Sequence, residues 1–193
     1  MPQFTVSEAR NAGVARAQYQ FGGAREVLRK SVANAEGRYD IFLSHSLRDA
    51  ELILGVREIL QRTGKRVYVD WIDDPQLDRS HVTRATAAQL RGRMIQCSSL
   101  VYAATPASTA SKWMPWELGF FDGHKGPEAV AIMQLVDFAG QSVGQEYLGI
   151  YPKIERTSTG APEVTQRENG RILRKSLHDL VQARGGAAWR STF

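Results

Sequence analysis

The amino-acid sequence predicts an α/β fold in which a parallel β-sheet is covered by helices on both faces. Short apolar runs alternate along the chain with segments whose apolar residues recur every three or four positions, and the connections between them are short. With 193 residues, of which 42% are hydrophobic, the chain is large enough to bury the core that such a sheet requires.

Four apolar runs predict the strands. They are residues 39–44 (YDIFLS), 66–70 (RVYVD), 100–103 (LVYA) and 129–136 (AVAIMQLV). Aromatic and β-branched residues dominate these runs, as is typical of buried strands. Ligands of parallel sheets bind beyond the carboxyl ends of the strands. We therefore expect the segments that follow these four runs to gather at one edge and to carry the functional groups.

Amphipathic segments predict helices at residues 49–62, 84–96 and 112–121. Residues 141–161 are expected to be rich in loops. A closing helix is predicted at 167–184, with one apolar face formed by Ile172, Leu173, Leu177, Leu180 and Val181.

An N-terminal helix is predicted over residues 5–35, broken at Gly22-Gly23. Its apolar face should pack on the domain or on a neighbouring copy through Val27, Leu28 and Val32. These patterns predict a helical extension at 1–38, a main domain at 39–185 and a C-terminal tail at 186–193.

The basic charge of the chain invites a nucleic-acid interpretation. The net charge is +5 and the isoelectric point is about 9.6. However, the basic excess lies in the flanks, 1–38 and 152–193, whereas 39–151 is slightly acidic. A solvated surface explains this distribution, so we expect no nucleic-acid partner, and a nucleic-acid binder stays an alternative supported by the isoelectric point alone.

Several site classes are not indicated by the sequence. A single cysteine, Cys97, excludes an internal disulfide framework and multi-cysteine metal sites. The histidines lack metal-ligand spacing, and the phosphate-loop, dinucleotide, zinc-protease and serine-hydrolase motifs are absent. No apolar run of about 20 residues predicts a membrane span, and the N-terminus lacks the apolar stretch of a secretory signal. We expect a cytoplasmic protein with no membrane partner and no metal.

The first loop contains Ser44, His45 and Ser46, directly after a predicted strand. Hydroxyls and backbone N–H groups at a helix start can bind a phosphate or a ribose hydroxyl. The same residue types also serve as helix caps, which is the role expected for Asp49.

A stronger candidate is the helix that starts near residue 112. Glu117 is the sole acid in the segment SKWMPWELGFF, and Trp113 lies four residues before it on the same helical face. A carboxyl group in such surroundings would be poorly solvated and its pKa raised, unless a polar or cationic group meets it. The alternative is that Glu117 points outward while the tryptophans pack the core.

Three boxes, YDIFLSHS, DWIDDP and SKWMPWELGFFDG, occur in an order and spacing that resembles the Toll/interleukin-1 receptor (TIR) domain family. The match is to its stand-alone bacterial branch, similar to antiphage-defence proteins of the Thoeris kind, and covers about residues 39–151. The resemblance implies a flavodoxin-like three-layer sandwich with a five-stranded parallel sheet. The second box lacks the Arg-Asp-x-x-Pro-Gly signature of the animal branch, which makes receptor-type adaptor contacts doubtful.

The resemblance also implies an activity, cleavage of the nicotinamide–ribose bond of NAD, with NAD as substrate and no cofactor. It implies Glu117 as the catalytic residue and Trp113 as its aromatic partner. The remaining residues implied to line the cleft are His45, Ser46, Arg48, Asp70 and Trp71, the last two from the loop at 70–83.

A single acid suits this chemistry. Nicotinamide leaves NAD as a neutral molecule, so no general acid is required, unlike in glycosidases with two carboxylates. One carboxylate can stabilise the positive charge that develops on the ribose, and Trp113 can exclude water. Attack by water gives ADP-ribose, and attack by a group of the substrate gives a cyclic ADP-ribose isomer. Both outcomes stay open.

The leading hypothesis is therefore an NAD glycohydrolase or cyclase in bacterial antiviral or stress signalling. A non-catalytic module acting by TIR–TIR self-assembly is the second hypothesis and the nucleic-acid binder is the third. A nucleoside-modifying transferase of similar sheet architecture is a smaller enzyme alternative. The resemblance implies a homo-oligomer, with a separately encoded sensor or effector protein as a possible partner.

Overall fold

The structure is a computed structural model that describes residues 2–19, 38–77, 83–136, 145–182 and 189–192. All of the strands in these ranges belong to one β-sheet. Within these ranges the strands are β1 (Phe4–Thr5), β2 (Ile41–Ser44), β3 (Val67–Tyr68), β4 (Ser99–Ala104), β5 (Val130–Val136), β6 (Lys153–Arg156), β7 (Pro162–Glu168), β8 (Arg171–Ser176) and β9 (Arg190–Thr192). The helices are α1 (Val6–Tyr19), α2 (Ala50–Gln61), α3 (Asp70–Asp73), α4 (Arg84–Gln96), α5 (Trp113–Lys125) and α6 (Leu177–Gln182). Short 3-10 turns lie at Leu47–Asp49, Pro106–Ala110, Pro127–Ala129 and Glu146–Ile150.

The centre of the sheet is parallel, with the strand order β3-β2-β4-β5-β6. The neighbours β2 and β3, β2 and β4, β4 and β5, and β5 and β6 all run in the same direction. This order is that of the flavodoxin-like folds, whose ligands bind at the carboxyl edge of the strands. The predicted α/β fold with a parallel central sheet covered by helices is confirmed.

The predicted elements agree well with the observed ones up to residue 136. Helix α4 has the bounds predicted from the sequence, and β2, β4 and β5 agree with their predicted runs to within two residues. Strand β3 is shorter than predicted because Asp70 begins helix α3. None of the described helices is both long and apolar enough to cross a membrane.

The predicted closing helix at 167–184 is wrong. Its residues form the end of β7, all of β8 and the short helix α6, and β6 lies within the segment expected to be loop-rich. The turn between β7 and β8 is Asn169-Gly170, and both residues have positive φ angles, 48° and 76°. An Asn-Gly turn whose residues both have positive φ suits a tight hairpin, and it outweighs the apparent helical spacing.

The antiparallel hairpin therefore extends the central sheet from β6 through β7 and β8 to β9. Residues 190–192, assigned from the sequence to a C-terminal tail, form the edge strand β9.

The N-terminal segment also joins the sheet. Strand β1 pairs in parallel with the end of β5, with Phe4 opposite Leu135, and the N–H of Arg156 donates to the carbonyl of Pro2. Helix α1 packs so closely on α2 that a Cβ added at Gly55 would lie only 1.5 Å from the carbonyl oxygen of Ala9. The face predicted at Val27, Leu28 and Val32 lies outside the described residues.

The two faces of the sheet bury different kinds of side chain. One core, which we call the aliphatic core, lies under α1, α2 and α6 and consists mainly of Ile, Leu, Val and Ala. The other, which we call the aromatic core, lies under α4 and α5. Its buried aromatic members are Tyr39, Phe42, Tyr68, Tyr102, Phe121 and Tyr151. Glu117 belongs to α5 and hence to the aromatic side.

Candidate active site

Glu117 lies inside the protein, with 0% of its surface exposed. The hydroxyl of Ser44, also fully buried, donates a hydrogen bond of 2.6 Å to its Oε2 atom. Ser44 is the last residue of β2, so a central strand holds this donor at the carboxyl edge of the sheet. The alternative in which Glu117 points outward is therefore wrong. The apolar residues around it on α5 face the core, and the helix carries the carboxyl group inward with them.

Helix α5 begins at Trp113, directly after Lys112. The hydroxyl of Ser111 accepts a hydrogen bond from the N–H of Met114, and Pro115 lies in the first turn, where a missing N–H costs no helical hydrogen bond. Met114, Leu118 and Phe121 are buried on the face that carries Glu117. This face anchors the helix and determines where the carboxyl group lies.

Trp113 starts an aromatic ladder along α5. Its half-buried ring meets Trp116 edge to face at 5.4 Å between centroids, and Trp116 stacks on Phe120 at 6.0 Å. The guanidinium of Arg91 from α4 lies 5.2 Å from the centre of the Trp116 ring, a cation–π distance. The ring of Trp113 is thus supported from the side, one helical turn before Glu117.

Tyr102 is a member of this site that the sequence analysis missed. It lies opposite Ser44 in the parallel pairing of β2 and β4, so both side chains are on the face covered by α5. Its hydroxyl donates to Oε1 of Gln145 at 3.3 Å. Burial raises the pKa of Tyr102, the neighbouring Tyr147 adds to this effect, and Glu117 makes a smaller contribution in the same direction. The alternation of residues 100–104 could have placed this phenol beside Glu117.

A second group surrounds His45, whose ring is buried. Nε1–H of Trp71 donates to Nε2 of His45 at 3.1 Å, and Nδ1 of His45 lies 2.8 Å from the carbonyl of Leu43. This arrangement suits a neutral imidazole that carries its proton on Nδ1 and donates it to the carbonyl. A carboxylate oxygen of Asp70 lies 3.3 Å from the same Nε2 atom.

Ser46 and Arg48 form the start of the first 3-10 turn. The Ser46 hydroxyl accepts from the N–H of Arg48 at 3.4 Å, and the Arg48 side chain is exposed. The capping role expected for Asp49 is wrong. Its carboxylate makes no cap bond at the start of α2, and it instead accepts a hydrogen bond of 2.5 Å from the Thr105 hydroxyl. This bond ties the loop after β2 to the loop after β4.

The acidic second loop is held by two buried ion pairs. Asp73 accepts hydrogen bonds from Arg57 at 3.1 and 3.3 Å. Asp74 accepts from Nε and Nη2 of Arg93, both at 2.6 Å, and from the Tyr68 hydroxyl at 2.7 Å. These acids brace α3 from two helices. Residues 78–82 of the predicted loop lie outside the described residues.

The structure thus brings the sequence-predicted residues together in two groups at one edge of the sheet. Glu117 joins Ser44 and Tyr102, and His45 joins Asp70 and Trp71. The peptide bond between Ser44 and His45 links them. In the ranges that the structure describes, no group of three or more side chains is arranged to hold a metal ion.

No family model matches the chain, but the chain is similar to known proteins that share one kind of name. A protein of Bacillus cereus (strain MSX-D12) named "Probable 3' cyclic ADP-D-ribose synthase ThsB'" is 46% identical over 135 residues, which cover 69% of this chain and 70% of that protein. TIR2 of Cytobacillus dafuensis, named as a candidate cyclic ADP-D-ribose synthase, is 31% identical over 83 residues. That match covers 42% of this chain and 22% of the relative.

Proposed function

The chain belongs to the bacterial Toll/interleukin-1 receptor (TIR) domain family of the Thoeris kind, and from this premise we propose that it converts NAD into nicotinamide and a cyclic ADP-ribose. The observation that carries the proposal is the buried carboxyl group of Glu117, held by Ser44 at the carboxyl edge of the parallel sheet. The names of two similar proteins, both cyclic ADP-ribose synthases, supply the reaction class.

Glu117 acts in this proposal as the catalytic residue. As the bond between the nicotinamide nitrogen and C1 of the ribose breaks, nicotinamide departs with the electron pair and positive charge develops on the ribose. A carboxylate beside that ribose stabilises the charge, more effectively at a buried position than in water. Trp113 forms a wall that excludes water from the reacting carbon.

Cyclisation then needs a nucleophile from the same molecule. A hydroxyl of the ADP-ribosyl group attacks C1, forms the new C–O bond and releases its proton. The product has the mass of ADP-ribose minus one water. Attack by water would instead give ADP-ribose. We propose that the aromatic wall at Trp113 favours the internal hydroxyl over water, because the reactive carbon is shielded from solvent.

The second group of residues binds the rest of the substrate in this proposal. His45, Ser46 and Asp70 offer partners for ribose hydroxyls, and Trp71 offers an indole surface next to them. The exposed guanidinium of Arg48 is suited to the phosphates, since it is a cation at the same edge of the sheet. NAD is then the substrate, and no further cofactor takes part. We further propose that the product serves a bacterial antiviral or stress response in the cytoplasm.

Self-assembly is a second candidate function, favoured by one observation. Leu47 is 48% exposed directly beside the His45 group, where an apolar side chain could contact another copy or a separately encoded sensor or effector. In a purely structural module Glu117→Gln would leave function intact. In an enzyme that also assembles, activity would rise with protein concentration.

The test is incubation of the full chain with NAD at several protein concentrations, with products resolved by chromatography and mass. We expect nicotinamide release and a product lighter than ADP-ribose by one water. Glu117→Gln should reduce turnover by at least about 100-fold, whereas Glu51→Gln, at an exposed position on α2, should retain it. Equal turnover in wild type and Glu117→Gln, or no turnover in any assembly state, would contradict the proposal.

A further inference from the structure

We propose that Ser44 is a positioning residue that keeps Glu117 ionised and correctly oriented. This inference deepens the proposed function and rests on it for its catalytic meaning. The pair itself is defined by geometry: two fully buried side chains, 73 positions apart in sequence, joined by a hydrogen bond of 2.6 Å from Oγ of Ser44 to Oε2 of Glu117.

The bond of 2.6 Å has the length expected for a charged acceptor, which is the form that we propose for Glu117. Hydrogen bonds from a hydroxyl to a carboxylate are about 2.5–2.7 Å long, shorter than those between neutral groups. An ionised carboxylate can only accept, and a hydroxyl has one proton to donate. A donor that satisfies the charged form favours that form, so the Ser44 hydroxyl opposes the effect of burial on Glu117.

The location of Ser44 explains why this donor is rigid. Strand β2 is paired with β3 at Ile41 and Phe42 and with β4 along its whole length, where Ser44 is opposite Tyr102. The hydroxyl therefore projects from a central strand at its carboxyl end. Glu117 is fixed from the other side by the buried face of α5, so neither partner needs to be ordered when substrate binds.

A pH experiment on this pair must distinguish the titration of Glu117 from that of the other titratable groups nearby. The titratable side chains on neighbouring elements are Tyr102 of β4, Tyr147 of the turn beside it, His45 and Asp49 after β2, Arg84, Arg91 and Arg93 of α4, and Lys112 at the start of α5, whereas β5 contributes none. Burial raises the pKa of Tyr102, so this phenol stays neutral while a carboxyl group titrates. Asp49 and Arg93 bond to Thr105 and Asp74.

Ser99 provides a matched control. It is a buried serine at the first residue of β4, where its hydroxyl donates to the carbonyl of Asp40 at 3.1 Å. Ser99→Ala therefore removes a buried hydroxyl from the same sheet, but one that bonds to a neutral acceptor.

The experiment measures the thermal midpoints of the full chain and its Ser44→Ala, Glu117→Gln, doubly substituted and Ser99→Ala variants between pH 4 and pH 8. We expect Ser44→Ala to lower the midpoint by about 5 °C at pH 8. The loss should shrink as the pH falls, because protonation of Glu117 removes the charge that strengthens the bond. It should also shrink in the Glu117→Gln background, whereas the Ser99→Ala loss should not change with pH.

A second readout is the pH profile of nicotinamide release. Ser44→Ala should move its acid limb upward by about one pH unit, which is a tenfold loss of rate on that limb. An unchanged acid limb, or a Ser44→Ala midpoint loss that is equal at all pH values and in the Glu117→Gln background, would overturn the inference. Retained turnover in Glu117→Gln would instead refute the proposed function, and the midpoints would still report on the pair.

Discussion

The two faces of the central sheet differ in how they are held together. The aliphatic core consists mainly of Ile, Leu, Val and Ala side chains, and the backbones of α1 and α2 approach each other beside it at Gly55. The aromatic core includes tyrosines whose hydroxyls bond to other groups, as Tyr68 does to Asp74 and Tyr102 to Gln145.

This difference shows how each face holds its polar groups. The aliphatic core is stabilised by apolar burial and close packing, and Trp71, which is partly buried against it, donates a hydrogen bond to His45. Buried hydroxyls and carboxylates must be hydrogen-bonded, and a satisfied network fixes its members in place. On the aromatic side, the Ser44 hydroxyl donates to the buried carboxyl group of Glu117, and on the α2 side Arg57 pairs with the buried Asp73.

The largest effect on stability is expected from breaking a buried ion pair on the aromatic side. Arg93→Leu removes both 2.6 Å bonds to Asp74, whose side chain is 3% exposed, and leaves this carboxylate unpaired. We expect a loss of about 3–5 kcal/mol in the free energy of unfolding, measured with urea. The variant Arg62→Leu, which breaks an exposed pair with Glu58, should lose less than about 1 kcal/mol. Similar losses in the two variants would show that the buried pair has no special role.

On the aliphatic side, the corresponding test is overpacking. Gly55→Ala places a methyl group against the backbone of Ala9, so α1 must shift or detach. We expect a loss of about 1–3 kcal/mol, accompanied by faster amide exchange in α1.

The control is Gly92→Ala in α4, where the added methyl meets open space. It should raise stability by as much as about 1 kcal/mol, since alanine favours helix over glycine. Unchanged stability and exchange in Gly55→Ala would mean that α1 does not depend on this close approach.

The contributions of Asp73, the last residue of α3, and of Asp74, which follows it, to the free energy of unfolding should depend on pH in opposite directions. Burial raises the pKa of Asp73, with Arg57 opposing it. The pKa of Asp74 is lowered, because hydrogen bonds from Arg93 and Tyr68 outweigh the effect of burial. The contribution of Asp74 is thus present above its unfolded pKa and lost as the pH falls, whereas that of Asp73 is present in acid and lost as the pH rises.

Urea unfolding of Asp73→Asn and Asp74→Asn between pH 3 and pH 7 measures these contributions. Relative to wild type, Asp74→Asn should show its largest loss in the free energy of unfolding at pH 7. Asp73→Asn should show its largest loss relative to wild type in acid. Parallel curves for the two variants would refute the assignment.

The smallest effect is expected in the antiparallel extension, away from both faces. Gly170 has a φ of 76°, which alanine adopts at a cost, so Gly170→Ala should lose about 1 kcal/mol. Nicotinamide release should be unchanged, because β7 and β8 lie beyond β6 at the far side of the sheet from β2. A large loss of turnover in this variant would connect the extension to the active site.

The sequence was sufficient wherever one local pattern determined the structure. The bounds of α4 follow from Thr83, whose side chain caps the helix by accepting from Thr86, and from the apolar spacing up to Met94. The runs around Phe42 and Val101 predict strands because they are continuous and lack an exposed face. The C-terminal hairpin was missed because five apolar residues fit a helical face by chance, while the competing Asn169-Gly170 turn signal is only two residues long.

The sequence by itself determined the parallel sheet and the family resemblance, and it singled out Glu117 as the candidate acid, since each of these depends on neighbouring residues. Only the tertiary structure decided that Ser44 satisfies this acid, that Tyr102 lies beside it, and that His45 joins Asp70 and Trp71. The physical reason is that partners from different strands and helices meet through the register and packing of the sheet, which no local pattern of residues records.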